Sequence, residues 1–412
     1  MNILKKNKRV CSYVLILIIP SLIWGPFVPD LIVSLSSLIF LTYVLKNKFF
    51  FYFTKKPLII FFIFCIYCIL VSIFVAKNRM LSFESSLFYF RIGVFACLIW
   101  YLIDQNKKIL TYFYYVLIVC FVVLIVDGYI QFFTGTNIIG LHKSGVRISS
   151  FFGEELILGS YLSRLFPLLF ALFILKEKKQ LELYSMSILF ILLICLIYIS
   201  GERAAFFLFI LSYMFMMIFL EKFVKLKIIL SVLSLFLIVF LTYNFSEVKN
   251  RMVSNPLNTI KKSIFTPEHD SLIRTAYNMF LDKPILGHGP KMFRVICKDE
   301  KYAVGITPCM THPHNFYVQL LAETGIIGFS FLFTAFAYVL YCAYRQFKSI
   351  VLRQKRYLTN YQVCLLAGIL ITVWPLTTNG NFFHNWLMIV YSLPVGFYLH
   401  SIYGKNRKNI SF

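Results

Sequence analysis

Apolar runs of bilayer-spanning length, each bounded by lysine or arginine clusters, recur along the whole 412-residue chain. A hydrocarbon core of about 30 Å takes roughly 20 apolar residues per helix. The runs fall at 11–27, 31–46, 57–75, 82–103, 109–132, 157–175, 183–199, 204–220, 227–244, 314–343, 358–377 and 384–402. A run such as Leu183–Ile199 does not alternate polar and apolar residues, as the strands of a membrane barrel do, so the spans read as helices. The expected fold is an all-α polytopic membrane protein of about 12 transmembrane helices. Composition agrees: 14% of residues are charged and 59% hydrophobic, where a soluble chain carries about a quarter charged residues.

The net charge of +24 is explained by its distribution. With the first ten residues in the cytoplasm, that face also receives the segments around Lys46–Lys56, Lys107–Lys108, Lys176–Lys179, Lys222–Lys227, Arg345–Arg356 and Lys405–Lys408. These hold 24 of the 41 lysines and arginines, and only four acids, Asp104, Glu177, Glu182 and Glu221. This is the positive-inside pattern in alternate loops. It places both termini in the cytoplasm of a bacterial inner membrane and requires no nucleic-acid partner. The basic start followed by Cys11–Trp24 lacks a small-residue cleavage site and reads as an uncleaved first span.

Two external segments are too long to be turns, Thr134–Leu156 and Asn244–Pro313. The chain therefore divides into a membrane region at 1–244 with about nine spans, a large periplasmic loop at 245–313 containing short helices, and a membrane region at 314–412 with about three spans. In the loop, Leu272–Leu281 has helical spacing, Lys283-Pro284 breaks it, and Gly287-His288-Gly289-Pro290 reads as a turn. Most cysteines lie in or beside spans as small apolar residues. Cys65 and Cys68 have CxxC spacing inside a span, with no partner pair to complete a metal site. Cys297 and Cys309 share the external loop, where an oxidising compartment would join them.

The external face also collects Arg147, in Gly145-Val146-Arg147-Ile148-Ser149-Ser150; Arg203, in the turn Ser200-Gly201-Glu202-Arg203; Arg274; and Thr311-His312-Pro313-His314-Asn315. Charge at the mouth of a membrane bundle is costly and so reads as functional. Pro313 suits the first turn of a helix. That places His314 and Asn315 where free N–H groups attract phosphate and disfavour imidazolium. Eleven residues on, Gly325 returns to nearly the face of His314, and Gly325 with Gly328 would let a neighbouring helix approach closely. Plainer readings stand beside these. His314 could be a polar cap, Arg203 an interfacial snorkelling residue, and Arg274 an ion-pair partner of Asp270. Glu323 is as readily a structural pair as a site group. Arg91 and Arg164 fit structural ion pairing or a lipid-phosphate contact, and His288 and His384 read as ordinary loop histidines.

His314-Asn315, nine residues, then Gly325-Ile326-Ile327-Gly328 resembles the His-Asn-x9-Gly-x-x-Gly signature of the O-antigen ligase and polymerase superfamily. Arg147–Tyr161, Ser200–Ala204 and Arg274–Phe293 are similar to the family's other recurring blocks, in the usual order. The resemblance covers roughly residues 140–345 and departs from the family at Glu202, where small or polar residues are commoner. It implies transfer of a glycan from undecaprenyl diphosphate to a sugar hydroxyl at the periplasmic face, among membrane lipids and without a metal or other cofactor. The acceptor would be lipid A–core in a ligase and another repeat unit in a polymerase. Carried over, His314 would be the catalytic base, Arg147, Arg203 and Arg274 would bind the diphosphate, and His312 and Asn315 would contact the acceptor. A compact chain with one large late loop favours the ligase over the polymerase. A transporter would instead place ionisable residues at midplane. A metal-dependent transferase would want acidic pairs in an early external loop; the first offers only Asp30, and Glu154-Glu155 and Asp299-Glu300 lack ligand spacing.

Overall fold

The computed structural model describes residues 15–176, 180–260 and 265–405. Among them helices dominate, and the only strand-like pairings are two isolated bridges, Thr136 with His142 and Ser144 with Arg147. The main helices are α1 (Phe27–Lys46), α2 (Lys56–Phe74), α3 (Arg79–Leu87), α4 (Phe90–Gln105), α5 (Lys108–Thr134), α6 (Leu158–Leu175) and α7 (Gln180–Ile199). They continue with α8 (Arg203–Phe219), α9 (Val224–Asn244), α10 (Pro267–Asp282), α11 (Phe316–Val351), α12 (Asn360–Thr372) and α13 (Asn385–Tyr403).

Among the described residues, nine stretches are long and apolar enough to cross a membrane: α1, α2, α3 with α4, α5, α6, α7, α9, α11 and α13. Helices α8 and α12 are apolar but shorter. The protein is an all-helical polytopic membrane protein. The expected first span at 11–27 begins outside the described residues, and its described part holds the short helix Ile18–Ser21 followed by the exposed Trp24. The second span is longer than expected, because α1 starts at Phe27 and runs for 20 residues.

Start signals in the sequence set several of these helices. Thr359 and Gln362 form a reciprocal capping box on α12. Thr266 caps α10 by accepting from the His269 N–H, with Pro267 at the first helical position. The centre of the bundle is made by helices apolar on all sides. In α4 every residue from Ile92 to Ile103 is buried, and α6 is buried along most of its length. Helix α13 packs along α4, and α12 along α6. Gly368 of α12 lies between two helix prolines: an added Cβ would sit 3.4 Å from Pro167 in α6 and 3.9 Å from Pro394 in α13. Lipid tails are as apolar as leucine, so such close van der Waals packing is what favours this core over a lipid-exposed helix. Helix α9 is the opposite case; only Lys227 and Ser234 of it are buried.

The tenth span is one long helix with a break inside it. Gly325 has φ 63° and ψ −168°, outside the helical region. The break leaves carbonyls without helical donors, and lipid supplies none. The segment after α10 runs across the gap and supplies them. His288 N–H donates to the Ala322 carbonyl at 3.1 Å, and Gly289 N–H to the Glu323 carbonyl at 2.7 Å. Tyr67 of α2 donates to the Thr324 carbonyl at 2.7 Å, and Ile326 N–H returns a bond to the Pro284 carbonyl at 2.8 Å. The crossing needs glycine on both sides. A Cβ on Gly287 (φ 69°) would meet the Glu323 and Thr324 backbone, and one on Gly325 would meet the Ile285 carbonyl. The close neighbour at Gly325 is therefore loop backbone and not the helix expected from glycine spacing, while Gly328 faces Thr324 of its own helix.

Replacing Gly287 by alanine combines a left-handed φ with a backbone collision, and is expected to destabilise the protein by about 2 kcal/mol or more. Thermal unfolding in detergent checks this; a melting temperature equal to that of the unaltered protein would remove the crossing as a stabilising element.

Candidate active site

The alternation of helix direction brings the α5–α6 and α7–α8 connections, the start of α11 and the α12–α13 loop to one end of the bundle. At this end, buried side chains from the helices hold the loop backbones. In α5, Asp127 accepts from Ser150 Oγ at 2.5 Å and from the Ile138 N–H at 2.9 Å. One turn on, the Gln131 side-chain oxygen accepts from the Ser149 and Ser150 N–H groups at 3.0 and 2.7 Å. This anchored loop presents Arg147. The Arg147 Nη2 donates to the Leu156 carbonyl at 2.9 Å, and its Nε is buried with no partner among the described residues.

Gly201, at φ 73°, makes the tight turn into α8. A Cβ there would lie 3.3 Å from Arg147 Cγ and 3.4 Å from Arg251 Cγ, so the two arginines flank the turn. Arg251 Nε donates to the Gly201 carbonyl at 3.1 Å, and Arg203 opens α8 two residues later. Burial lowers the pKa of Arg147 from the usual guanidinium value; Glu202 opposes that, and Arg251 and Arg203 lower it further. The site thus concentrates positive charge from three segments. Glu202, the departure from the family pattern, turns away to α6. Its carboxylate accepts from the Gly159 N–H at 2.6 Å and from the Ser160 N–H and Oγ at 3.1 and 2.7 Å. Burial pushes its pKa up to about 7 against these bonds and Arg147.

His314 stands at the entry to α11 and outside the helix. Its φ is 57°, and the helix begins at Phe316. The expected place of His314 and Asn315 in the first helical turn is corrected accordingly, because Asn315 is the N-cap. The Asn315 side-chain oxygen accepts from the Tyr317 and Val318 N–H groups at 3.0 and 3.1 Å. Its Nδ2 donates to the Pro375 and Thr377 carbonyls at 2.8 and 3.3 Å. The Asn315 amide is fully engaged in capping and docking, which leaves it no free group for an acceptor.

The His314 ring centroid lies 4.2 Å from that of His312 and 5.5 Å from that of His269 in α10. Burial lowers the His314 pKa below the ordinary imidazole value, and His269 lowers it further. Burial, then the neighbouring His314, pushes His312 down to about 3. Burial also lowers His269, with Arg203 adding to the effect against Glu268. His269 therefore bridges the arginine group and the histidine pair. It and Arg251 lie in no motif, so spacing did not pick them out.

Arg274 is not brought into this group. It is exposed and paired with Asp270 at 3.6 Å, one helical turn away. The structure joins Cys297 to Cys309, with Cα atoms 5.0 Å apart. Arg91 pairs with Asp30 at 2.5 Å and donates to Ser34 at 2.8 Å. His288 is buried against the Met279 carbonyl, and Glu323 accepts from Gln319 Nε2 at 2.9 Å and the Phe293 N–H at 3.1 Å. These are framework contacts. Arg164 is buried in α6, with Tyr391 under its guanidinium at 4.4 Å. It makes no ion pair among the described residues: it donates to the Ile371 carbonyl at 3.3 Å and to Asn379 Oδ1 at 3.1 Å.

The structure is a membrane helix bundle that gathers Arg147, Arg203 and Arg251 about Gly201 and stacks His269, His312 and His314 at the start of α11. Residues 188–333 match the family model described as O-antigen ligase, and this match supports the O-antigen ligase and polymerase superfamily. The matched stretch includes Arg203, Arg251, His269, His312 and His314, and it leaves Arg147 and the α12–α13 loop outside. No curated protein matches the chain.

Because His269 depresses the His314 pKa, His269→Gln is expected to raise it toward the ordinary imidazole value of about 6.5. His314 would then take up its proton at a higher pH. Histidine-labelled protein followed by NMR titration reads this directly, and an unmoved His314 midpoint would refute the coupling.

Proposed function

We propose that the chain is a glycosyltransferase of the O-antigen ligase type in a bacterial inner membrane. It moves a glycan from undecaprenyl diphosphate to a sugar hydroxyl of lipid A–core at the periplasmic face. The observation that carries this reading is the stacking of His314 with His312 and His269 at the bundle end where Arg147 and Arg251 flank Gly201 and Arg203 opens α8. In the reaction the acceptor hydroxyl oxygen forms a bond to the anomeric carbon and gives its proton to an imidazole nitrogen of His314. The bond from that carbon to the diphosphate oxygen breaks, and the electron pair leaves with the diphosphate. Fixed guanidinium groups stabilise the charge that develops there. Arg251, beside Arg147 at Gly201, takes the phosphate-binding place that the motifs assigned to Arg274, which is exposed and paired with Asp270.

The family match supports the coarser class equally for a repeat-unit polymerase, whose acceptor is another glycan unit. Expression in a ligase-null and in a polymerase-null strain separates the two through the lipopolysaccharide ladder, and rescue of the polymerase-null strain alone would overturn the ligase assignment. His314→Ala is expected to lower transfer by about 10²–10⁴-fold with normal membrane insertion; retained activity would sink the base role. Arg251→Ala should lower donor turnover at least about tenfold, while Arg274→Ala leaves it within about twofold, since an exposed ion pair contributes little. The reverse order in a reconstituted assay would return the diphosphate site to Arg274.

A further inference from the structure

The α12–α13 loop carries Pro375-Leu376-Thr377-Thr378-Asn379-Gly380-Asn381-Phe382-Phe383, lies outside the family match and has no assigned role. It rests against the reactive end of α11. Asn379 N–H donates to the His314 carbonyl at 2.8 Å, and Phe382 N–H to Gln319 Oε1 at 2.9 Å. Two asparagine side chains in it, Asn379 and Asn381, are 6% and 5% exposed.

The oxygen of each amide is already assigned by its donors. Asn379 Oδ1 accepts from Arg164 at 3.1 Å. Asn381 Oδ1 accepts from Gln319 Nε2 at 3.1 Å and from the Phe383 N–H at 2.8 Å. Because arginine and backbone N–H groups can only donate, neither amide can be flipped. The nitrogens therefore keep their place, and both Nδ2 atoms are buried without an acceptor among the described residues. A buried donor left unpaired costs about 1–3 kcal/mol, so two on one short loop beside His314 point to a ligand.

We propose that this loop is the acceptor wall of the site, where the Asn379 and Asn381 amides donate to hydroxyl oxygens of a neutral sugar. This rests on the transferase reading above. The ligand class follows from the donors. The loop has no lysine or arginine; Arg164 lies on the oxygen side of Asn379 under the Tyr391 ring, and the charge of Arg294 is felt by the neighbouring histidines, His312 and His384. Neutral amides match hydroxyl oxygens, whereas the diphosphate is matched by the arginines beside Gly201. The two halves of the reaction thus meet different chemistry, amides on this loop and guanidinium groups at Gly201.

The decisive variants are Asn379→Asp and Asn381→Asp. Each preserves the shape and the accepting oxygen that Arg164 or Gln319 needs, and replaces the N–H donors by a second oxygen that carries negative charge when ionised. Full-length protein is reconstituted in liposomes with envelope-extracted lipid-linked glycan as donor and with acceptor titrated. The expected result is a rise in acceptor KM of about tenfold or more, donor KM within twofold, and an unchanged melting temperature; a variant that melts early is set aside and the other is read. In parallel, delipidated and dephosphorylated envelope oligosaccharide is added to purified protein, and the shift in melting temperature is measured. A shift in the unaltered protein that disappears in both variants supports the site. Equal shifts in all three proteins, no shift in any, or a shift obtained only with the phosphorylated oligosaccharide overturns it. If the unaltered protein binds the neutral oligosaccharide but transfers nothing, the transferase reading fails while the sugar site stands.

Discussion

A membrane helix can be broken only where the protein itself supplies donors for the carbonyls that the break releases. In α11 those carbonyls belong to Ala322, Glu323 and Thr324, and their donors are the backbone of His288 and Gly289 and the phenol of Tyr67. This exchange carries the segment after α10 into the bundle. With it comes α10 itself, which packs on α11 and brings His269 to His314. The glycines at 287 and 325 serve this backbone crossing, a demand that substitution by any residue with a Cβ would violate.

The remaining site loops are fixed by a shared device, a buried polar side chain on a helix that satisfies loop backbone. Gln131 and Asp127 hold the loop bearing Arg147, Glu202 binds the start of α6, Asn315 docks the α12–α13 loop, and Gln319 joins that loop to α11. Arg164 completes the set from below through Asn379. Such contacts are strong where water is scarce, and each leaves an unpaired group if broken. The result is a rigid polar end on an apolar shaft.

Most of the spans were legible because lipid imposes a fixed length on every crossing: nine of the twelve expected stretches are long and apolar enough to cross among the described residues. The stop at Lys283-Pro284 was equally local, and α10 ends there, but it begins at Pro267, ahead of the expected start at Leu272. What escaped depended on contacts distant in sequence. Pro313 suggested a helical first turn for His314, yet docking of the loop at 375–379 places Asn315 at the cap and leaves His314 left-handed. The spacing of Gly325 and Gly328 fitted a helix interface, but the neighbour is a loop arriving from forty residues earlier. Arg274 sat in a recurring block and proved to face outward, while Arg251, in no block, packs against Gly201 beside Arg147. Position in a motif does not report which face of a helix a side chain occupies.

The three arginines around Gly201 come from stretches separated by whole spans: Arg147 precedes α6, Arg203 begins α8 and Arg251 follows α9. During synthesis the charge cluster therefore does not exist until α9 has been inserted, and the histidines join only when α11 has followed. A nascent chain halted midway therefore lacks the assembled arginine group.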